Sequence, residues 1–256
     1  MNSTASWAWT LLWPSLPLGV LFALALNFGL YWFFFHSKLG VRLMRGRRHY
    51  QGGPSREDLL YEIRHAIIPE SILGVITSLA LTSNQPGPLP LHLRWSFSAG
   101  DLPRILAEIV GILVVYEIYY YGVHYLMHRR RLFPLTHSVH HHTRFPSPQA
   151  GTSVNLLEAA LFYTFFATMI FGPFHIVALI AVSLEIKFAS LTQHLGHEIF
   201  PRFMRRSPVL KYINSTRFHQ LHHSDNLSRN LGFQTSVLDR AFGTINKKYL
   251  DYEKSA

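Results

Sequence analysis

Apolar positions run through the chain in long blocks. Residues 16–35 (LPLGVLFALALNFGLYWFFF) carry no charge and match the length a helix needs to cross a bilayer core of roughly 30 Å. A shorter apolar run covers about 66–82, and a third extends from 105 to about 127, preceded by Asp101 and Pro103 as a cap and an early-turn proline. From 154 to 194 the apolar pattern breaks only at Gly172-Pro173, which predicts two helices joined by a tight turn. Each arm of this hairpin is close to the minimum spanning length, so a full crossing and a dip into the bilayer both fit. The first run lacks a basic flank before it and a small-residue cleavage site after it, so it is expected to stay in the mature protein. The pattern predicts an all-α integral membrane helical bundle of about four transmembrane helices. It divides into an N-terminal transmembrane region at 1–104 and a second region at 105–246, expected to form a single structural domain.

Charge adds orientation to this picture. Six Lys or Arg lie between 38 and 56, three more at 129–131 and several after 201, whereas 83–104 holds only Arg94 and Arg104. Positive loops face the cytosol, which places the amino terminus outside and the polar ends of the helices in a cytosolic cap. The membrane is then the endoplasmic reticulum in a eukaryote or the inner membrane in a bacterium. An asparagine sequon at Asn2 would face the side where glycosylation occurs, and Asn214-Ser215-Thr216 would not; the GPLP stretch at 87–90 reads as a loop. The net charge of +10 also suits nucleic acid, but no stacking platform or recognition motif accompanies it.

Composition narrows the chemistry. The chain is 48% hydrophobic and only 15% charged, a greasier balance than a soluble domain carries. Cysteine is absent, which excludes disulfides, thiolate metal sites, iron–sulfur clusters and cysteine nucleophiles. Any metal must therefore sit on nitrogen or oxygen, and the 16 histidines outnumber the 14 carboxylates.

These histidines are bunched. His124 and His128 stand four apart at the end of the third apolar run, a spacing that puts both on one helical face. His137, His140 and His141, followed by His142, and later His219, His222 and His223 repeat the i, i+3, i+4 pattern. Between them Gln193-His194-Leu-Gly-His197 sits at the exit of the hairpin. His36, His49, His65, His92 and His175 are isolated and read as ordinary interfacial residues, and His142 as a neighbour of ligands. Eight to ten imidazoles exceed what one transition metal accepts, so the count implies two metal ions. Imidazole suits zinc, copper, iron and nickel alike, and zinc could occupy a preparation. A redox role at a membrane face argues for iron, because zinc has no redox chemistry.

The pattern resembles the fatty acid hydroxylase and sterol desaturase superfamily of membrane di-iron enzymes, which carry HxxxH, HxxHH and a late HxxHH in this order. The resemblance covers roughly 110–244 and includes Glu158, Gln193-His194, Asn230-Leu-Gly232 and the ending Asp239-Arg-Ala-Phe-Gly-Thr244. Two positions depart from it: Glu117 stands where Asp is common, and Leu238 where Trp is frequent before the aspartate. The resemblance implies that His124, His128, His137, His140, His141, His194, His219, His222 and His223 hold two iron ions, with His197 joining them. Glu117, Glu158, Asn230 and Asp239 become candidates for orienting imidazoles through their free ring nitrogens.

It also implies that O2 is consumed to hydroxylate or desaturate a lipid drawn from the bilayer, with Tyr119 to Tyr121, Phe162, Phe165 and Phe166 shaping the passage. A sterol, a fatty acyl chain, an ether lipid and an aminolipid all remain open. The chain has no flavin, nicotinamide or haem-attachment motif, so electrons are expected from a cytochrome b5-like protein or a ferredoxin with its reductase. Arg202, Arg205, Arg206, Lys247 and Lys248 offer such an acidic carrier, or anionic lipid, a basic surface. Two rival readings are a divalent-metal transporter and a metal-binding membrane scaffold without catalysis. A transporter keeps its polar site near the bilayer midplane, where the apolar runs here offer mainly Glu108 and Glu185.

Overall fold

Residues 4–49, 53–81, 83 and 91–255 are described by a computed structural model, with side chains from residue 20 onward. The Asn2 sequon and the GPLP loop lie outside the described residues. The elements are α1 (Thr4–His36), α2 (Lys38–Leu43), α3 (Arg56–Leu81), α4 (Leu102–Met127), α5 (Phe133–Thr136), α6 (Leu156–Met169), α7 (Ile176–Gln193), α8 (Arg202–Arg206), α9 (Thr216–Ser224), α10 (Val237–Ala241) and α11 (Lys247–Lys254). Short 3-10 turns at Ala99–Asp101, His140–His142, Pro148–Thr152 and Leu210–Tyr212 join them. Among the described residues pairing of the β type is limited to isolated bridges, so the protein is all-helical.

Among the described residues two helices, α3 and α7, are long and apolar enough to cross a membrane. Helix α3 starts ten residues before the apolar run at 66 because Ser55 and Asp58 form a reciprocal capping box. Ser55 Oγ accepts from Asp58 N (3.0 Å) while the Asp58 carboxylate accepts from Ser55 N (3.1 Å). The hairpin predicted at 154–194 resolves into α6 and α7, turned at Gly172-Pro173, and the His175 side chain caps α7 by accepting from Val177 N at 3.1 Å. Asp101, expected as the cap of α4, bonds back to Ser98 N and Oγ, both at 2.8 Å, and makes no side-chain cap to α4.

The burial pattern inverts that of a soluble bundle. On α4 the outward stripe is Leu106, Val110, Val114 and Ile118, and on α7 it is Val177, Ile180, Leu184 and Phe188; all eight are exposed. Apolar side chains at helical spacing on the outside need a lipid environment to cover them, which makes this a membrane protein. The interior holds an aromatic core that includes Tyr116, Tyr120, Phe165 and Phe233.

Antiparallel helices bring two sets of ends together. At one end the 91–98 segment meets the α6–α7 turn: Arg94 N donates to Phe174 O (2.9 Å), and Glu108 of α4 binds Arg94, Arg104 and His175 N. At the other end Glu198 N donates to Arg47 O (2.8 Å) and His49 N to Gly196 O (3.1 Å), tying the segment after α2 to the exit of α7. The histidine boxes all lie at this second end. Replacing Glu108 with Ala removes the carboxylate from Arg94, which keeps only Pro173 O, and leaves the His175 N–H without its acceptor, and thermal melting in detergent should show a loss of about 2 kcal/mol with metal binding unchanged.

Candidate metal centre

Nine imidazoles converge where α4, α7, α9 and the 137–142 segment meet. They form two groups, His124, His128, His137, His141 and His222 in one and His140, His194, His219 and His223 in the other, with the ligand atoms of each group within 4.8 Å of one another. Helix α4 supplies His124 and, at its C-cap, His128; α7 ends with His194 as its C-cap; α9 carries His219, His222 and His223. Each i, i+4 pair stays within one group, as helical spacing requires. The middle histidine of each HxxHH box crosses over: His140 joins the pair from α9, and His222 joins the pair from 137–141. The boxes therefore interlock, each contributing to both groups.

The outer ring nitrogens determine what the inner ones can do. Nδ1 of His124 faces the Leu231 carbonyl (2.7 Å), Nδ1 of His137 the Glu158 carboxylate (2.7 Å), Nδ1 of His194 the Ser190 carbonyl (2.7 Å) and Nδ1 of His222 the Arg229 carbonyl (2.8 Å). Carbonyl and carboxylate oxygens accept, so each Nδ1 carries the proton and each Nε2 presents a lone pair. His124 Nε2 nevertheless sits 3.0 Å from His137 Nε2, and His194 Nε2 sits 3.0 Å from His219 Nε2. At the His124–His137 contact two bare lone pairs face each other in a buried site and repel, and a cation between them turns that repulsion into ligation. His222 Nε2 and both ring nitrogens of His141 are buried without a hydrogen-bond partner among the described residues. Orphaned nitrogens of this kind fit a metal ion in the five-histidine group.

The surroundings keep these rings neutral and oriented. Burial, reinforced at His128 by the adjacent imidazoles, pushes His128 down to about 2, and burial pushes His194 down to about 4. The Leu231 and Arg229 carbonyls belong to a strand-like segment that is itself pinned. Asp239 accepts from Leu231 N (2.8 Å), Gly232 N (2.7 Å) and Thr244 Oγ1 (2.6 Å), and Glu117 accepts from Gln234 N (2.9 Å) and Thr235 N (3.0 Å). Asn230 takes a left-handed φ of 58° and bridges Phe218 O and Asn246 N. Glu158 thus touches an imidazole directly, whereas Glu117, Asn230 and Asp239 act through backbone carbonyls.

A cavity of about 140 Å³ reaches the four-histidine group, with His140 and His194 in its wall beside Glu158 and the rings of Tyr120, Phe162 and Phe166. A second, more apolar cavity of about 330 Å³ shares Leu73, Thr77, Phe166 and Ser183 with the first and runs to Leu81 and Leu184, both exposed on the outer face. Tyr119 and Tyr121 point elsewhere, donating to Leu161 O and meeting Thr244 Oγ1.

The fatty acid hydroxylase family model matches residues 109–244. The chain belongs to that family. This places it in the fatty acid hydroxylase and sterol desaturase superfamily. It is 27% identical over 158 residues to methylsterol monooxygenase 1 of Danio rerio, covering 60% of this chain and 53% of that protein. The Gallus gallus protein of the same name is 26% identical over 158 residues, with 60% and 52% covered, and the Rattus norvegicus protein 26% over 152 residues, with 59% and 48% covered. The chain spans about half the length of the curated relatives it matches. No solved structure matches it. The family segment begins inside α4 and ends at Thr244, so it encloses both histidine groups and the segment that orients them.

One candidate ligand is placed outside the groups. His197 follows His194 by three residues, but α7 ends at Gln193 and Gly196 turns the chain at φ 71°. The ring of His197 packs on Phe35 (4.8 Å between centroids), its Nδ1 donates to Leu195 O and its Nε2 accepts from Arg48 Nε. Both nitrogens are thereby used. His142 stacks on Tyr61 at 3.8 Å and is also outside both groups. Sequence reasoning missed the backbone carbonyls that select the tautomers; the position of Ser190, four residues before His194, was the one readable signal.

Removing the Glu158 carboxylate by Ala should weaken metal binding roughly 10–100-fold, with Gln intermediate, in a chelator competition titration. The pH dependence follows from His128 and His194, whose folded values lie below the ordinary 6.5. The unfolded chain binds more protons below about 6.5, so the stability of metal-free protein should be flat above pH 7 and fall progressively toward pH 4. Melting temperatures that stay constant over that window would contradict neutral, buried imidazoles.

Proposed function

We propose that this membrane protein is a di-iron oxidoreductase that uses O2 and externally supplied electrons to hydroxylate or desaturate a lipid. The observation that carries the reading is the pair of histidine groups, four of whose rings turn Nε2 lone pairs inward, with one group bordering an apolar cavity that opens on the lipid-facing surface. His124, His128, His137, His141 and His222 would hold one iron and His140, His194, His219 and His223 the other. Two irons held there supply the one-electron redox chemistry with which O2 oxidises an unactivated carbon–hydrogen bond; zinc would fit the same nitrogens and lack it.

The chain's own residues do the rest. Glu158 and the carbonyls of Leu231, Arg229 and Ser190 keep the Nδ1 protons of His137, His124, His222 and His194 outward, so that these four rings stay committed to ligation. The aromatic wall of Tyr120, Phe162 and Phe166 excludes water and orients an apolar substrate against His140 and His194. The relatives named methylsterol monooxygenase support a sterol-like or other lipid substrate, oxidised with one oxygen atom retained.

A four-span topology with the positive-inside pattern would put the histidine end in the cytosol, at the endoplasmic reticulum or a bacterial inner membrane. A cytochrome b5-like protein or a ferredoxin would deliver electrons at that face. Of the basic residues there, Arg205 is engaged with Tyr252 and Lys248 with Asp225, which leaves Arg202, Arg206 and Lys247 as the exposed contacts for an acidic carrier.

Purified protein should contain about two metal ions per chain, with His222→Ala lowering the count toward one and iron required for turnover. Lipid profiles of cells with and without the gene should differ by a hydroxylated or unsaturated lipid that His140→Ala abolishes. A product that survives His140→Ala, or a stoichiometry of one that ignores His222→Ala, contradicts the reading.

A further inference from the structure

Within the two helices that are long and apolar enough to cross a membrane sits a charge pair: Lys187 of α7 donates to the Glu70 carboxylate of α3. Glu70 is buried, and Lys187 lines the cavity that leads to the four-histidine group. Charges inside a spanning segment are costly, and a buried pair gains little over apolar packing, so its retention calls for a use. Along α7 the cavity wall is a polar stripe, Ser183, Lys187, Ser190 and His194, at i, i+4, i+7 and i+11. The facing wall is aromatic, with Tyr120, Phe162 and Phe166. Such a cavity holds an amphipathic molecule with its apolar body on the rings and its polar atom on the stripe.

We infer that Lys187 is a specificity-determining residue, which donates a hydrogen bond to a neutral hydroxyl or carbonyl of the lipid while Glu70 balances its charge. The inference rests on the lipid-oxidising reading and specifies its substrate class. An ammonium has three donors and Glu70 takes one, which leaves donors for a second acceptor. The pair is neutral as a whole, so an uncharged acceptor adds no net charge to a low-dielectric site, whereas a carboxylate or sulfate leaves one uncompensated. Lys187 precedes His194 by two helical turns, about 10 Å of rise, so the polar group is held at a distance from the carbons that meet His140 and His194.

The test is equilibrium binding to metal-free full-length protein in nanodiscs, read by displacement of a fluorescent lipid. Two matched probe sets are used: octadecane, octadecan-1-ol and octadecanoate, and cholestane, cholesterol and cholesterol sulfate. In at least one set the wild type should bind the alcohol roughly tenfold more tightly than the hydrocarbon and than the anion. The double variant K187M/E70Q removes both charges and keeps the fold free of an unpaired one; it should bind alcohol and hydrocarbon within about threefold of each other. E70Q alone leaves the lysine unbalanced and should reverse the order so that the anion binds best. No alcohol preference in the wild type in either set, a preference that persists in the double variant, or an E70Q protein that still favours the alcohol would each overturn the inference. Metal content and turnover are measured separately on the same proteins, so a chain that binds as expected but oxidises no lipid would overturn the proposed activity and leave this site standing.

Discussion

Four of the nine clustered imidazoles have their Nδ1 protons committed to oxygens that can only accept, and their Nε2 lone pairs are packed toward neighbouring nitrogens. This arrangement is unfavourable for an empty protein and favourable around a cation, and much of the polar end of the fold serves to impose it. Glu158 reaches His137 directly because Asn155 caps α6 and sets the start of that helix beside the 137–141 segment. The 229–235 segment, which offers carbonyls to His124 and His222, would be free to rotate were it not held by Asp239 and Glu117 from two different elements. Asp239 and Glu117 are thus spent on backbone geometry and Glu158 on an outer ring nitrogen, and the metal-facing donors are left to histidine alone.

The same end of the molecule must also meet lipid. Outward stripes on α4 and α7 are apolar, the interior is aromatic, and polar groups gather at the helix ends. A bilayer makes that distribution stable, because the exposed apolar surface is covered and the backbone groups of the spans are satisfied within their helices. It also gives the cavities an outlet on the hydrocarbon side, through Leu81 and Leu184, so that a lipid can approach the histidines without crossing the polar cap. The five-histidine group lies away from this cavity, and His140 and His194 of the other group stand in its wall. The two histidine groups therefore face different surroundings.

Interlocking of the HxxHH boxes ties this chemistry to the fold. Because His140 and His222 each cross to the other box's pair, neither group can form from one segment, and both need α9 docked against the 137–142 turn. Docking depends on Phe218 and Leu221 of α9 packing under Tyr249, and on His49 and His197 O meeting Thr216 at the start of that helix. His197 is accordingly a residue of this joint between the α2 exit and α9, although its spacing from His194 looked like that of a ligand.

The sequence by itself determined the helical class, the breaks at Gly172-Pro173 and the identity of the clustered histidines, because these follow from local periodicity: apolar runs of spanning length and imidazoles one turn apart. Glu158, Asp239 and Glu117 were legible as acids near the boxes, but their partners were not. The tertiary structure alone decided which histidines share a group, since His140 and His222 each join the imidazoles of the other box rather than those beside them in sequence. It decided the tautomers through carbonyls of Leu231 and Arg229, which every residue possesses and no residue type announces. It also paired Lys187 with Glu70 across α3 and α7, positions 117 residues apart, because only packing of two separate helices brings such charges within reach.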